Sequence, residues 1–208
     1  AAPDAEQPRV LRGMALARLG RIDDAADCYH QHLKQYPADP AASHLLAALG
    51  IGPMPSHASS AYIMQKYADY ADSYDHHQAG MHYAGGQLLA EAVTHVGKTG
   101  DKVLDAGCGT GQVGRYLAGQ GFQLTGVDLS AEMLQKAEEY SCYHRLYHAD
   151  IMDFMAKHPT GYDVITAADL LIYHGDLRDW LAASQACLRP AGWLVMTLEA
   201  LDPADPRP

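Results

Sequence analysis

The sequence is short of basic charge: 15 lysines and arginines stand against 25 aspartates and glutamates, a formal net charge of -10 with histidine neutral. No Lys/Arg cluster occurs, which argues against a surface built to neutralise phosphates, so no nucleic-acid partner is expected. Cysteine is equally sparse. Cys28, Cys108, Cys142 and Cys187 lie far apart with no CxxC spacing, so free thiols in a reducing compartment are expected. No run approaches the ~20 apolar residues of a membrane span, and the opening lacks the basic-then-apolar order of a signal peptide. A soluble, cytoplasmic chain with no membrane partner is therefore expected. Its first residue is Ala1 rather than methionine, so a natural beginning upstream is expected too. Phenylalanine is nearly missing, 2 residues against 13 tyrosines. Tyrosine keeps an apolar body and adds a polar tip, which suits the wall of a wet pocket.

What is present divides into two patterns. Residues 8 to 49 show helical spacing, with Leu11, Met14, Ala15 and Leu19 on one face and Ile22, Ala25, Ala26, Tyr29 and Leu33 on the next. Gly20-Arg21 separates these helices, Pro37 ends the second, and a third stops at Gly50. The stretch "GMALARLGRIDDAADCYHQHLKQYPADP" resembles a tetratricopeptide repeat through Gly13, Gly20, Ala25, Tyr29 and Pro37, although Arg12 and His32 depart from the pattern. One repeat and part of a second cannot bury a continuous core, so residues 1–50 are expected to end a longer array or to dock on a second domain. Residues 51–60, with two prolines and three serines, read as a linker. Residues 61–96 read as lid or leading helices. From 97 to 208 short apolar runs alternate with helix-length segments, which predicts a doubly wound α/β domain with a parallel sheet.

"LDAGCGTGQVG", residues 104–114, follows the first of those strands. Ligands of a doubly wound sheet bind at the carboxyl ends of its strands, and glycine there permits positive φ and close backbone approach. Two frames compete. Gly109-x-Gly111-x-x-Gly114, with Asp128 about twenty residues on, satisfies the dinucleotide fingerprint. Asp105-x-Gly107-x-Gly109-x-Gly111 instead resembles the loop of an S-adenosylmethionine enzyme. A carboxylate at Asp105 would hold an ammonium, directly or through water, and repel a pyrophosphate. Asp128 suits two ribose hydroxyls under either frame, and Asp150, closing the third strand in "HADI", could accept from an adenine amino group. The plain alternative for each aspartate is that it caps the following helix. An acid after each of three successive strands favours the cofactor reading.

These motifs, with "GVDLS", "YDVITAADLLIYHGDL" and "LRPAGWLVMTLEA", make residues 101–200 resemble a class I S-adenosylmethionine-dependent methyltransferase of Rossmann-like fold. With "YADYADSYDHHQAGMHYAGGQLL" the chain is similar to a bacterial group that joins tetratricopeptide repeats to this fold. The resemblance implies that Asp105, Gly107, Cys108 and Gly109 line the methionine end, Asp128 and Leu129 hold the ribose, and Met133 packs on the adenine, bracketed by Asp150 and Ile151. It also implies that Ala168 and Asp169 face the transferring methyl, and that a lid helix brings Tyr70 and Tyr74 over the cofactor. Ala191 stands where the family's turn before strand five has its first glycine. The family's closing strands six and seven are not seen, so a truncated chain or a covering partner is expected at strand five, where an apolar edge would otherwise invite pairing.

Methyl transfer can proceed by alignment alone. If the acceptor needs orienting or deprotonating, Asp169, Tyr173, His174, His76 and His77 are candidates, and no spacing singles one out. The pair His76-His77 does not share a helical face and lacks a surrounding ligand set, so no metal is expected. The run Tyr67, Tyr70, Tyr74, Tyr83 recurs near the helical turn and is either a core stripe or a lid. Three classes remain. They are a methyltransferase acting on a small molecule or on a protein presented by the repeat, an NAD(P)-dependent oxidoreductase, and a non-catalytic repeat module carrying a relic sheet.

Overall fold

The computed structural model describes residues 7–52, 57–68, 70–81, 83–198 and 200. It divides into two compact units, residues 1–66 and 67–208, a boundary six residues later than the expected start of the lid segment at 61. Residues 53–56 of the expected linker lie outside the described residues.

The first unit holds α1 (Gln7–Arg18), α2 (Ile22–Gln35), α3 (Pro40–Ala48) and the start of α4 (Ser60–Ala68). Gly20 turns the chain at φ 74, and Asp39 caps α3 by accepting from the Ala42 amide at 2.7 Å, with Pro40 at the first helical position. The buried stripe differs from the expected one in α1. Leu11 and Leu19 are exposed, at 56% and 74%, and Leu16 is buried against Ala25, Cys28 and Tyr29. The reason is Gly13: a side chain there would occupy the Tyr29 ring, so α1 approaches α2 along its smallest residue and turns its larger leucines outward. In α2, Ala25, Ala26 and Tyr29 are buried as their spacing implies, and Ile22 is exposed. The start of α4 returns to α3, where Tyr62 stacks on His44 with ring centroids 4.0 Å apart.

The second unit contains α5 (Ala71–Gly80), α6 (Gly85–Val96), β1 (Lys102–Ala106), α7 (Gln112–Leu117), β2 (Gln123–Asp128), α8 (Ala131–Glu139) and β3 (Arg145–His148). α9 (Ile151–Ala156), β4 (Tyr162–Ala167), a single 3-10 turn at Leu171–Tyr173, α10 (Arg178–Cys187) and β5 (Leu188–Met196) follow. The five strands form one parallel sheet in the order β3-β2-β1-β4-β5, so the chain reverses its direction of growth between β1 and β4, where such sheets bind ligands. Alternation in β1 sends Val103 to one core with Leu89, Val93, Val113, Leu117, Leu124 and Val164, and Leu104 to the other with Val127, Phe154, Ile165 and Trp180. Both faces are thus covered, as a parallel sheet requires.

β5 corrects one expectation. Arg189, Pro190 and Ala191 do not form a turn ahead of the strand; they lie within it, at a register shift against β4. Ala191 still needs the glycine-like conformation, at φ 62, so the backbone demand persists where the residue has changed. Among the described residues β5 pairs with β4 alone, and Trp193 is 53% exposed; residues 201–208 lie outside the described residues. No described helix is long and apolar enough to cross a membrane.

Candidate active site at the carboxyl edge of the sheet

Gly107, Gly109 and Gly111 all have positive φ, at 67, 53 and 86, which confines these positions to glycine at little cost. The resulting loop folds onto the end of β2. Gly107 and Cys108 amides donate to the Val127 carbonyl at 2.9 and 3.0 Å, the Gly111 amide donates to the Cys108 carbonyl at 2.8 Å, and the Gly109 amide donates to Asp128 Oδ2 at 2.8 Å. A pyrophosphate cradle needs such amides free. Here they are consumed within the protein, one by a carboxylate, and Gly114 lies inside α7 rather than in the loop.

Asp105 closes the first ring of partners. It sits on β1, in register with Gly126 of β2 and Thr166 of β4, and is only 2% exposed. Tyr143 Oη donates to its Oδ2 at 2.6 Å and Thr166 Oγ1 to its Oδ1 at 2.9 Å. Burial raises its pKa to about 6, against the pull of the Tyr143 and Thr166 hydrogen bonds and with a further push from the charge of Asp128. Burial and the same two carboxylates lift the Cys108 thiol well above its ordinary value, so the loop cysteine is held as a neutral thiol.

Asp128 ends β2 with both oxygens engaged, Oδ2 by Gly109 and Oδ1 by the Ser130 amide at 2.8 Å. Burial raises its pKa, and the amides of Ser130, Gly109 and Leu129 together with His148 counter that rise. Ser130, not Asp128, caps α8, through the Met133 amide at 3.2 Å, so helix capping does not account for Asp128. Leu129 is half-buried, and its carbonyl meets His148 Nε2 at 2.9 Å. Met133 is buried one turn into α8. Asp150 does cap its helix: Oδ1 accepts from Met152 and Asp153 amides at 2.8 and 3.3 Å at the head of α9, where Ile151 is buried.

Beyond β4, Ala168 is half-buried and packs on the α6/α7 core, and Asp169 takes a left-handed φ of 49. Thr197 locks it, accepting from the Asp169 amide at 2.8 Å and donating to Oδ1 at 2.9 Å. Tyrosines gather beside it. Tyr83 hydrogen-bonds Asp169, the hydroxyls of Tyr67 and Tyr173 lie 2.6 Å apart, and Tyr74 packs edge-on against Tyr67 and Tyr70 at 6.1 and 5.4 Å. Burial drives Tyr67 and Tyr83 far above the ordinary phenol value and pushes Tyr74 up to about 12, so these hydroxyls are neutral donors. His76 and His77 are exposed on α5, with His77 against the Tyr70 ring at 5.7 Å. His174 follows the 3-10 turn, half-buried. Among the described residues no cluster of His, Cys, Asp or Glu could hold a metal.

α5 is tied to the loop by one carboxylate. Asp75 Oδ1 accepts from Thr110 Oγ1 at 2.6 Å and Gln112 Nε2 at 3.3 Å, and Oδ2 accepts from Arg115 Nη1 and Tyr140 Oη, both at 3.2 Å. Arg115, the one cation of α7, is thereby committed, and its guanidinium also lies 4.3 Å from the centre of the Tyr140 ring. The edge is lined with acid and neutral hydroxyl groups, a lining that favours a cationic ligand over a phosphate.

Comparison with known proteins agrees with that polarity. Residues 104–194 match the methyltransferase domain family and residues 7–49 the tetratricopeptide repeat family. The fold is similar to that of a TehB-like SAM-dependent methyltransferase from Corynebacterium glutamicum, with a TM-score of 0.52 and 26% identity over 62% of this chain and 72% of that one. Residues 104–194 are thus similar to a methyltransferase domain. Among curated relatives, a ubiquinone biosynthesis O-methyltransferase of Burkholderia multivorans is 31% identical over 63% of this chain and 60% of its own length. A malonyl-[acyl-carrier protein] O-methyltransferase of Salmonella typhimurium is 32% identical over 61% and 49%. The chain thus spans between about half and three-fifths of these two relatives.

Sequence reasoning brings Asp105, Gly107, Cys108, Gly109 and Asp128 to one place, and in the structure these residues lie together at the loop. It passed over three residues that hold the place together: Tyr143, Thr166 and Asp75. Asp75 stands inside the tyrosine run, one residue after Tyr74, and an acid in an aromatic stripe was the signal for it. Tyr143 left a fainter trace, in glycines at 114 and 126 for which no backbone requirement was apparent.

Proposed function

We propose that the chain binds S-adenosylmethionine at the carboxyl edge of β1, β2 and β4 and transfers its methyl group to an acceptor oxygen. The observation that carries this reading is the fate of the loop amides. Those of Gly107, Cys108, Gly109 and Gly111 are spent on Val127, Cys108 and Asp128, and a buried carboxylate lies beneath them, so these glycine-loop positions offer a cofactor anionic partners rather than amide donors. The residues therefore fit a ligand bearing an ammonium and a sulfonium. Asp105 with the backbone of Gly107, Cys108 and Gly109 would hold the methionine end. Asp128 and Leu129 would hold the ribose, Met133, Asp150 and Ile151 the adenine, and Tyr70 and Tyr74 would cover it, with Ala168 on the side of the methyl.

When bound, the cofactor supplies a methyl carbon already activated by its sulfonium. The chain's own part is to align and dry the site. Asp169, fixed by Thr197 and Tyr83, is the group placed to accept an acceptor's proton at a carboxylate oxygen, while Tyr67, Tyr173 and Tyr74 donate hydrogen bonds and His174 stands at the end of the same turn. An oxygen acceptor is supported by the names of the O-methyltransferase relatives, and the acceptor is a small molecule or a protein recruited through residues 7–49, in the cytoplasm.

Calorimetry with S-adenosylhomocysteine and with NADH tests the cofactor. Binding of the former without the latter is expected; tight binding of NADH with none of S-adenosylhomocysteine refutes the reading.

A further inference from the structure

Three glycines near the loop leave a space that a side chain of the protein fills. A Cβ built at Gly114 would lie 2.5 Å from Tyr143 Cζ and 2.6 Å from its Oη. At Gly111 it would lie 3.0 Å from Cε2 of the same ring, and at Gly126 3.1 Å from Cε1. Contacts this short are sterically forbidden or tight, so the ring by itself excludes a side chain at Gly114 within α7, and it shares that role with Ala137 and the left-handed backbone at Gly111 and with Leu146 and Cys108 at Gly126 in β2. Register explains where the ring leads. Gly126 is the β2 neighbour of Asp105, and Thr166 is its β4 neighbour, so a ring that crosses Gly126 arrives at the Asp105 carboxylate. Its hydroxyl donates there at 2.6 Å, opposite the Thr166 hydroxyl at 2.9 Å.

We propose that Tyr143 is a positioning residue for cofactor binding: seated where Gly111, Gly114 and Gly126 have no side chain, it donates to Asp105 and, opposite Thr166, keeps that carboxylate charged and oriented beneath the loop. The surroundings make such help necessary. Asp105 faces Asp128 at the end of β2, Cys108 in the loop, Cys142 and Tyr143 between α8 and β3, and Thr166 on β4; Arg115 of α7 is committed to Asp75. Burial and Asp128 both favour a protonated, uncharged Asp105, and the two hydroxyl donors are what oppose them. Tyr143 itself does not ionise in exchange, because burial and Asp105 lift its hydroxyl well above the ordinary phenol range.

The test is the titration of Asp105 in cofactor-free protein, read from its carboxyl carbon by NMR, in the wild type, Tyr143→Phe and Gly114→Ala. Tyr143→Phe keeps the ring and removes the donor; Gly114→Ala keeps the tyrosine and displaces it. In each folded variant the midpoint of Asp105 is expected to rise by about one pH unit. Calorimetric affinity for S-adenosylhomocysteine, measured between about pH 5 and 8, is expected to weaken at the acid end in step with that midpoint. A purely structural tyrosine would lower stability and leave both midpoints in place. An unmoved Asp105 midpoint in either folded variant overturns the proposal. The binding arm rests on the cofactor reading above, and the titration does not. A wild type that binds no S-adenosylhomocysteine refutes that reading, and the Asp105 midpoints still decide the role of Tyr143.

Discussion

Asp105→Asn should make the protein more stable and less able to bind its cofactor, and the size of the first effect follows from the carboxylate's surroundings. Its ordinary pKa of 3.8 rises to about 6 in the fold, a displacement of about 2 units, each equivalent to about 1.4 kcal/mol. Because the folded pKa is the higher one, the folded chain holds more protons between those values, and stability falls as pH rises from about 4 to about 6. Below that window the buried carboxyl is neutral and costs nothing extra. Above it the full cost, about 3 kcal/mol, is present and no longer changes. Asparagine has the same shape, accepts from one of the hydroxyls of Tyr143 and Thr166, donates to the oxygen of the other, and carries no charge to desolvate. Urea denaturation of both proteins should therefore show equal stability near pH 4 and a variant more stable by about 3 kcal/mol near pH 7.5, on the order of a 6 to 12 °C rise in Tm for a chain of this size. Carboxylates distant from Asp105 titrate equally in both proteins and cancel in the difference, while Asp128, whose charge is coupled to Asp105, loses that repulsion in the variant. A difference that does not change with pH, or a variant no more stable at pH 7.5, would refute the picture of a charged Asp105 buried at a net cost. Unchanged affinity for S-adenosylhomocysteine would refute the idea that the cost is retained for binding.

Three other substitutions probe different parts of the site. Asp128→Ala removes the proposed ribose partner and frees the Gly109 amide it holds, so affinity for S-adenosylhomocysteine should fall by about 1 to 3 kcal/mol in calorimetry; equal affinity contradicts the ribose assignment. Asp75→Ala strands the buried Thr110 hydroxyl and releases Gln112, Arg115 and Tyr140, at about 1 to 3 kcal/mol of local stability. Amides of residues 71–80 should then exchange faster with solvent, and unchanged exchange means that Asp75 does not hold α5. Ala191→Gly removes a left-handed cost of about 1 to 2 kcal/mol and adds about 0.5 to 1 kcal/mol of chain entropy, for a net gain of roughly 0.5 to 1 kcal/mol in urea denaturation; a loss of stability would show that the Ala191 methyl is itself needed in β5.

How far the sequence alone revealed this molecule depends on whether a feature is periodic, local or long-range. The parallel sheet was legible because buried strands alternating with helices leave a period that survives without tertiary information. The positive φ of Gly107, Gly109 and Gly111 was legible because only glycine takes that conformation freely. The buried face of α1 was not, since apolar spacing points to Leu11 and Leu19 and the packing is decided by how closely Gly13 lets Tyr29 approach. Long-range donors were the least legible. Thr166 is 61 residues from Asp105, Tyr143 is 38, and Asp75 is 35 from Thr110, and no spacing rule joins such pairs.

The three strand-end aspartates look alike in sequence and do unlike things in the fold. Asp150 caps its helix and satisfies backbone amides that water would otherwise satisfy. Asp128 fixes the loop through Gly109 and reaches α8 through Ser130, and Asp105 lies buried between two hydroxyls. Stability alone explains the first. It does not explain Asp105, since a neutral side chain of the same shape would cost less there. A charge kept at that cost beneath a glycine loop, with its oxygens steered from β4 and from a tyrosine admitted by three glycines, is best understood as serving a cationic ligand. If stability were its purpose, Asp105→Asn would be the better residue at every pH above 4.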